Sequence, residues 1–343
     1  MELKDIKSLY KNELKEELLT MGLQGFRAYQ IYKWLVGGVQ SFDEMTNLSH
    51  QLREELKKKY YISHAKIERK LVSKIDGTVK YLFSFDDTTF VEAVVMSYHH
   101  GYTMCISSQD GCKMGCTFCA TGKGGFRRNL TASELLSQIQ SAQQDLNIRI
   151  SNIVLMGMGE PLDNYDNVLR FLRLVSDSDG LNIGIRHISL STCGIVDKIY
   201  ELEKENLGIT LSVSLHAPND EIRSKTMPVN KKWNIEELLK ACKSYSNTTK
   251  RRISFEYAMI EDVNDCDACA NELGNRLQGM LCHVNLIPVN EVKGTNYKKS
   301  KLKRQQAFIS ILARYGITAT VRRTLGSDIN ASCGQLAGKL QNI

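Results

Sequence analysis

From about residue 100 the chain alternates short β-prone runs with longer helical stretches, and no other feature constrains its fold as strongly. Strand-like runs lie at 102–107, 153–156, 187–191, 210–215, 253–259, 284–287 and 317–321. Helical segments such as 131–146, 165–175, 235–245 and 304–315 fall between most of them, and Thr131 with Glu134 has the spacing of a capping box. Repeated βα units imply a parallel sheet joined by right-handed crossovers. Roughly six units suit an open or partial barrel, so the fold class is α/β with a partial (β/α)6 barrel. Chemistry in such a sheet sits at the carboxyl ends of the strands.

Upstream the pattern differs. Ile6 and Leu9, then Leu14, Leu18 and Leu19, then Phe26 to Leu35 with its aromatics, recur at helical spacing. Residues 1–75 therefore read as a small N-terminal helical accessory domain, its aromatics either core or part of an RNA-binding surface. Two β-prone runs around the acidic turn Asp86-Asp87 make 76–97 a β-hairpin linker. The barrel core is assigned to 98–328 and a C-terminal tail to 329–343.

With 42% hydrophobic and 24% charged residues the composition is that of an ordinary globular protein. There is no membrane-length apolar run, and Met1-Glu2-Leu3-Lys4-Asp5 leads into no signal-peptide core, so a cytoplasmic location is expected. Ten cysteines there point to metal or thiol chemistry. The net charge of +7 is uneven: Lys293, Lys298, Lys299, Lys301, Lys303 and Arg304 fall in one segment. Smaller groups are Lys57 to Lys59, Lys123 with Arg127 and Arg128, and Lys250 to Arg252. Each alone is an ordinary solvated face; together they favour a polyanionic substrate.

Cys112, Cys116 and Cys119 have the spacing C-x3-C-x2-C directly after the first barrel strand. Three thiolates on a four-iron cluster leave one iron open to a ligand carrying an amine and a carboxylate, as the methionine end of S-adenosylmethionine (SAM) does. A structural zinc, with Cys105 as fourth ligand, is the competing assignment. Other strand ends carry Gly159-Glu160-Pro161, Ser191-Thr192-Cys193, Ser214-Leu215-His216 and Asn290, which one shared cofactor site would explain. Cys266 and Cys269 lack a second pair and read as incidental helix cysteines; Cys193, Cys242 and Cys282 read as small buried residues, and His99 and His100 as a surface turn.

The sequence resembles the RlmN/Cfr family of radical-SAM RNA methyltransferases over nearly its whole length. The resemblance is carried by Cys105 to Gln109 leading into the triad, Gly125 to Leu130, Met156 to Leu162, Ser214 to Ala217, and Asp328 to Leu336 around Cys333. Asn330 and Ser332 stand where Asp and Ala are expected, and Leu325 where a polar residue is usual. The resemblance implies a radical-SAM barrel whose 4Fe-4S cluster is held by Cys112, Cys116 and Cys119. It implies SAM contacts at Gly159, Glu160, Ser191, Ser214, Leu215, His216 and Asn290. Cys333 would be the methyl carrier, Cys105 its thiol partner and Glu92 the proton acceptor.

The chemistry is consistent with those roles. Carbon 2 of adenine is electron-poor and cannot attack a sulfonium methyl, whereas a carbon radical can add to it. A cysteine can take a methyl from one SAM, and a second SAM can furnish the radical that activates it. A base must then remove the ring proton, and a second thiol must release the product as a disulfide forms. The resemblance implies as substrates 23S rRNA at the peptidyl-transferase centre and the tRNA adenosine 3′ of the anticodon. The expected electron donor is one such as a flavodoxin or ferredoxin, and the enzyme is expected to be a monomer with no membrane association. Rival readings are a Cfr-like carbon-8 methyltransferase conferring antibiotic resistance and a non-enzymatic iron–sulfur RNA-binding protein.

Overall fold

The computed structural model describes residues 3–337 except 291 and 293. Met1 and Glu2, Lys293 of the basic segment, and 338–343 of the assigned tail lie outside the described residues. At the centre is one ten-stranded sheet whose strand order follows the sequence. Its strands are β1 (Lys66–Val72), β2 (Val79–Ser84), β3 (Phe90–Tyr98), β4 (Gly101–Cys105), β5 (Ile150–Leu155), β6 (Ile188–Thr192), β7 (Thr210–Ser214), β8 (Ile253–Met259), β9 (Cys282–Pro288) and β10 (Ala319–Val321). From β4 to β10 every pairing is parallel. From β1 to β4 every pairing is antiparallel. The two end strands are not paired with each other, so the barrel is partial, as expected.

Central strands are short and apolar because both of their faces are covered. In β8 every residue except Ser254 is buried, including Glu256. Helices α4 (Ala132–Leu146), α5 (Tyr165–Ser176), α6 (Val196–Lys204), α7 (Asp220–Thr226), α8 (Ile235–Thr249), α9 (Asp267–Leu277) and α10 (Leu302–Arg314) supply the crossovers and cover. The Thr131–Glu134 capping box opens α4, with the Thr131 N–H donating to the Glu134 carboxylate at 2.8 Å. Parallel pairing delivers the carboxyl ends of β4 to β9 to one side of the sheet, where the loops carry the cysteine triad and the other polar strand ends.

The N-terminal helices α1 (Lys11–Thr20), α2 (Gly25–Val36) and α3 (His50–Lys57) close a separate small core of Ile6, Leu14, Leu18, Ile31, Leu35 and Leu56. It docks on α4 through buried Lys7, whose ammonium donates to the Ser63 carbonyl at 2.9 Å and the Ser137 hydroxyl at 2.8 Å. The helical region ends at Lys57, earlier than residue 75: Lys66–Val72 is a strand in which half-buried positions alternate with exposed ones. Its apolar residues are too few to mark it in a sequence, as befits an edge strand kept polar on one side. Strands β2 and β3 form a hairpin in the 76–97 region, and their pairing with β1 and β4 makes it part of the main sheet rather than a linker.

Candidate functional site

A cavity with about 960 Å³ of empty space, counting its open mouth, lies at the carboxyl ends of the parallel strands. Its wall includes Cys112, Cys116 and Cys119, together with Gly159, Glu160, Ser191, Ser214, His216 and Asn290 of the expected SAM contacts, and Cys333 from the tail. Leu215 is not part of the wall. Its side chain is buried in the core, and its backbone joins β7 to β8 through a 3.0 Å bond to the Glu256 carbonyl.

The three triad thiols are free and half-buried. Burial pushes the Cys112 thiol up to about 12, and burial with the neighbouring Cys119 and Cys112 pushes Cys116 well above the ordinary range. Thiols so placed are poor ligands until a cation takes their protons, which a coordinated metal does outright. Among the described residues no three Cys, His, Asp or Glu side chains converge closely enough for one metal ion. A zinc ion about 2.3 Å from each sulfur would bring them to within about 4 Å of one another. Cys105, the fourth ligand of that reading, has Cys333 and Arg322 as its electrostatic neighbours instead. Three thiols lining one cavity, with Glu160, Ser214 and Asn290 also in its wall, fit a cluster that keeps one iron open to a further ligand.

Glu160 is buried, and burial pushes its carboxyl above the ordinary range. It accepts the Cys193 N–H at 2.7 Å and the Leu162 N–H at 3.0 Å, while its own N–H donates to the Gln109 side chain at 2.8 Å. Gly159 before it adopts φ +98°, and a Cβ there would lie 2.5 Å from Cβ of Gln109. Only glycine fits such a position. On the other side of Cys193 stands Arg223, fully buried, whose guanidinium donates to the carbonyls of Cys193 at 2.6 Å, Ser214 at 3.1 Å and Leu215 at 3.2 Å, and to the Asn230 side chain at 2.9 Å. One cation thus ties the ends of β6 and β7 together. His216 follows at φ +57°, its Nδ1 accepting the Ala258 N–H at 2.8 Å; burial and Arg223 hold its pKa at about 3, so the imidazole is neutral with the proton on Nε2.

The tail closes the cavity. Asn290 donates to the Cys333 carbonyl at 3.0 Å, the Ala120 N–H to Gly334 at 2.8 Å and the Thr121 hydroxyl to Leu336 at 2.7 Å. Further back, Ser73 and Lys74 hold the Asp328 carboxylate, and Lys80 donates to the Asn330 carbonyl at 3.0 Å. Glu92 is buried on β3 and does not line the cavity: its carboxylate pairs with Lys80 at 2.8 Å and accepts the Ala337 N–H at 2.7 Å. Cys105 is buried at the end of β4, outside the wall, and burial together with Cys333 pushes its thiol up to about 12.

Two residues that sequence reading missed stand in the wall. Arg322, just past β10, lies 3.8 Å from the Glu256 carboxylate, and Cys333 and Glu256 hold its pKa above the ordinary range. Glu256 was detectable as the one charge inside the apolar run of β8; nothing distinguishes Arg322-Arg323 from other basic pairs. Cys193, read as an ordinary small residue, also lines the cavity. Arg128 of a basic cluster is engaged internally, with Glu134 and Asp87.

The profile of the Radical SAM superfamily matches residues 106–270, and that of the ribosomal RNA large subunit methyltransferase N-terminal domain matches 4–62. A protein of Alkaliphilus oremlandii named probable dual-specificity RNA methyltransferase RlmN is 55% identical over the full length of both chains. The chain belongs to the RlmN family of radical-SAM RNA methyltransferases. A like-named protein of Clostridium novyi is 51% identical over 97% of this chain and 98% of its own. The crystal structure of a radical SAM methyltransferase from Sphaerobacter thermophilus superposes with a TM-score of 0.93 at 41% identity, covering 98% of this chain and all of that one. As an RlmN-family enzyme the chain acts on RNA with a 4Fe-4S cluster and SAM. No helix among the described residues is long and apolar enough to cross a membrane.

Proposed function

We propose that this enzyme methylates carbon 2 of a specific adenosine in 23S rRNA and of the adenosine 3′ of the anticodon in tRNAs, through an S-methylcysteine at Cys333. The observation that carries this reading is the tail: Cys333 lines the same cavity as the triad and neighbours Cys105. Family membership and the dual-specificity name of its relatives support the pair of substrates.

Cys112, Cys116 and Cys119 would hold the cluster. Bound there, it would supply an electron that cleaves SAM to a 5′-deoxyadenosyl radical. Glu160, Ser191, Ser214, His216 and Asn290, with Gly159 giving backbone access and Leu215 acting through its backbone, would hold SAM. The Glu160 carboxylate retains lone pairs for an ammonium beyond the two N–H groups it accepts. Cys333 takes the methyl of one SAM as a nucleophile; a second SAM supports loss of hydrogen from that methyl group, which adds to the ring of a base extruded into the cavity. Glu92 accepts the ring proton, which requires the Ala337 contact to open. Cys105, its proton lost to solvent, attacks the Cys333 sulfur and breaks its bond to the transferred carbon, leaving a Cys105–Cys333 disulfide. A proton completes the new methyl group, and the one electron left over would return to the bound cluster. Arg322, whose charge acts on the Cys105 thiol against the larger upward push of burial, favours the Cys105 thiolate. A flavodoxin or ferredoxin as donor, a monomeric state and a cytoplasmic location complete the proposal.

Cys333→Ala is expected to keep the brown cluster absorption and transfer no methyl, and Cys105→Ala to accumulate RNA bound covalently to Cys333. Full turnover by either variant would remove the two-thiol mechanism. Chromatography of RNA digests from cells with and without the enzyme is expected to show 2-methyladenosine. A dominant 8-methyladenosine product would move the chain to the carbon-8 branch.

A further inference from the structure

Cys266 and Cys269 frame the first turn of α9, where Cys266 is the N-cap residue and Cys269 the third residue of the helix. Their sulfurs lie 3.3 Å apart, with the Cys266 thiol donating to Cys269. Cys266 is exposed and Cys269 is buried. Neither lines the cavity.

Three physical features make this arrangement more than two helix cysteines. Residues three apart on a helical turn have Cβ atoms about 5–6 Å apart, and a modest adjustment brings them within reach of a disulfide. The Cys266 side chain makes no capping hydrogen bond to the helix and turns its thiol to Cys269 instead. The nearby carboxylates are occupied elsewhere: Asp267 pairs with Arg304 at 2.9 Å, Asp265 accepts the Ser300 hydroxyl at 2.6 Å, and Glu272 accepts Asn219 at 2.7 Å and pairs with Arg276 at 3.2 Å. Cys266 is the exposed sulfur of the two and Cys269 the buried one, so an incoming disulfide reaches Cys266 first.

We propose that Cys266 and Cys269 form a redox-active dithiol that exchanges with low-molecular-weight disulfides, Cys266 attacking and Cys269 resolving. The Cys266 thiolate attacks one sulfur of the small disulfide, forming a mixed disulfide and expelling the first thiolate. The Cys269 thiol loses its proton to solvent and attacks the Cys266 sulfur, expelling the second thiolate. The protein gives up two electrons and two protons, and the small disulfide becomes two thiols. This couple is separate from the Cys105 and Cys333 pair.

The test uses the full-length enzyme with its cluster, incubated anaerobically with glutathione disulfide and then mapped by peptide mass spectrometry. Wild type is expected to give a Cys266–Cys269 cross-link that dithiothreitol reverses. Cys269→Ser is expected to retain one glutathione on Cys266, because the resolving thiol is gone. Cys266→Ser is expected to lose both the cross-link and the adduct at this turn. Unchanged cluster absorption in both variants verifies folding. Absence of the cross-link in wild type, or trapping on Cys269 in preference to Cys266, overturns the proposal.

Discussion

The Glu92 carboxylate accepts the Ala337 N–H at 2.7 Å, so a strand near the start of the sheet holds the end of the described tail. The same carboxylate pairs with Lys80 at 2.8 Å, and both side chains are about nine-tenths buried. Removing one partner of a buried pair strands the other charge at a cost on the order of 3–5 kcal/mol. Glu92→Gln is therefore expected to lower the melting temperature markedly, and Lys80→Met combined with Glu92→Gln to recover part of the loss. Anaerobic calorimetry of the wild type and the two variants reads this, and an unaltered Glu92→Gln melt would mean that the pair does not hold the tail.

Cys105 gives a pH signature of stability. Its folded thiol is pushed up to about 12 by burial, against about 8.5 for an exposed thiol. The folded-state value is the higher one, so the contribution is complete below about pH 8.5 and is lost as pH rises towards 12. Cys105→Ala is expected to flatten the alkaline limb of a stability–pH curve, read by denaturant titration. Arg322→Met, which removes the guanidinium beside this thiol, is expected to slow alkylation of Cys105 at pH 9.

At Gly159 the constraint is steric. A side chain at φ +98° is strained, and its Cβ would meet Gln109 at 2.5 Å. Gly159→Ala is expected to cost on the order of 2 kcal/mol or more. The displaced turn carries Glu160, so SAM affinity, measured by equilibrium dialysis on cluster-loaded protein, is expected to fall at least tenfold. Affinity within twofold of wild type would show that this turn does not position SAM.

Arg223 offers a sharper contrast. Arg223→Met leaves the carbonyls of Cys193, Ser214 and Leu215 without their buried donor, each worth about 1–3 kcal/mol. Arg223→Lys keeps the charge but cannot reach all of these acceptors with a guanidinium's planar fork. The expected order of thermal stability is wild type, then Lys, then Met, with SAM affinity following the same order. A Met variant as stable as wild type would assign the clamp no role in joining β6 to β7.

Much of this was legible in the chain. The βα alternation gave the parallel sheet, since buried strands read as apolar runs and Thr131-x-x-Glu134 marks a helix start. The C-x3-C-x2-C spacing and the polar strand ends anticipated most of the cavity wall, because parallel pairing sends all those ends to one side. What stayed hidden depended on distant partners. Lys66–Val72 is too polar to announce a strand until β2 lies beside it. Arg223 and Arg322 look like surface residues until carbonyls and thiols surround them. Cys266 and Cys269 have the spacing of a dithiol, but only the side-chain directions bring the sulfurs to 3.3 Å.

The anchoring of the tail also makes the cavity a junction between distant parts of the chain. Ser73, Lys74, Lys80, Glu92, Ala120 and Thr121 all precede the fifth strand of the sheet, while the stretch they grip, Asp328 to Ala337, follows the last one. The wall is whole only when the two meet, because Cys333 is part of it. Under the proposed mechanism, a chain whose tail is unpicked from these contacts would keep its triad and have nowhere to store a methyl group.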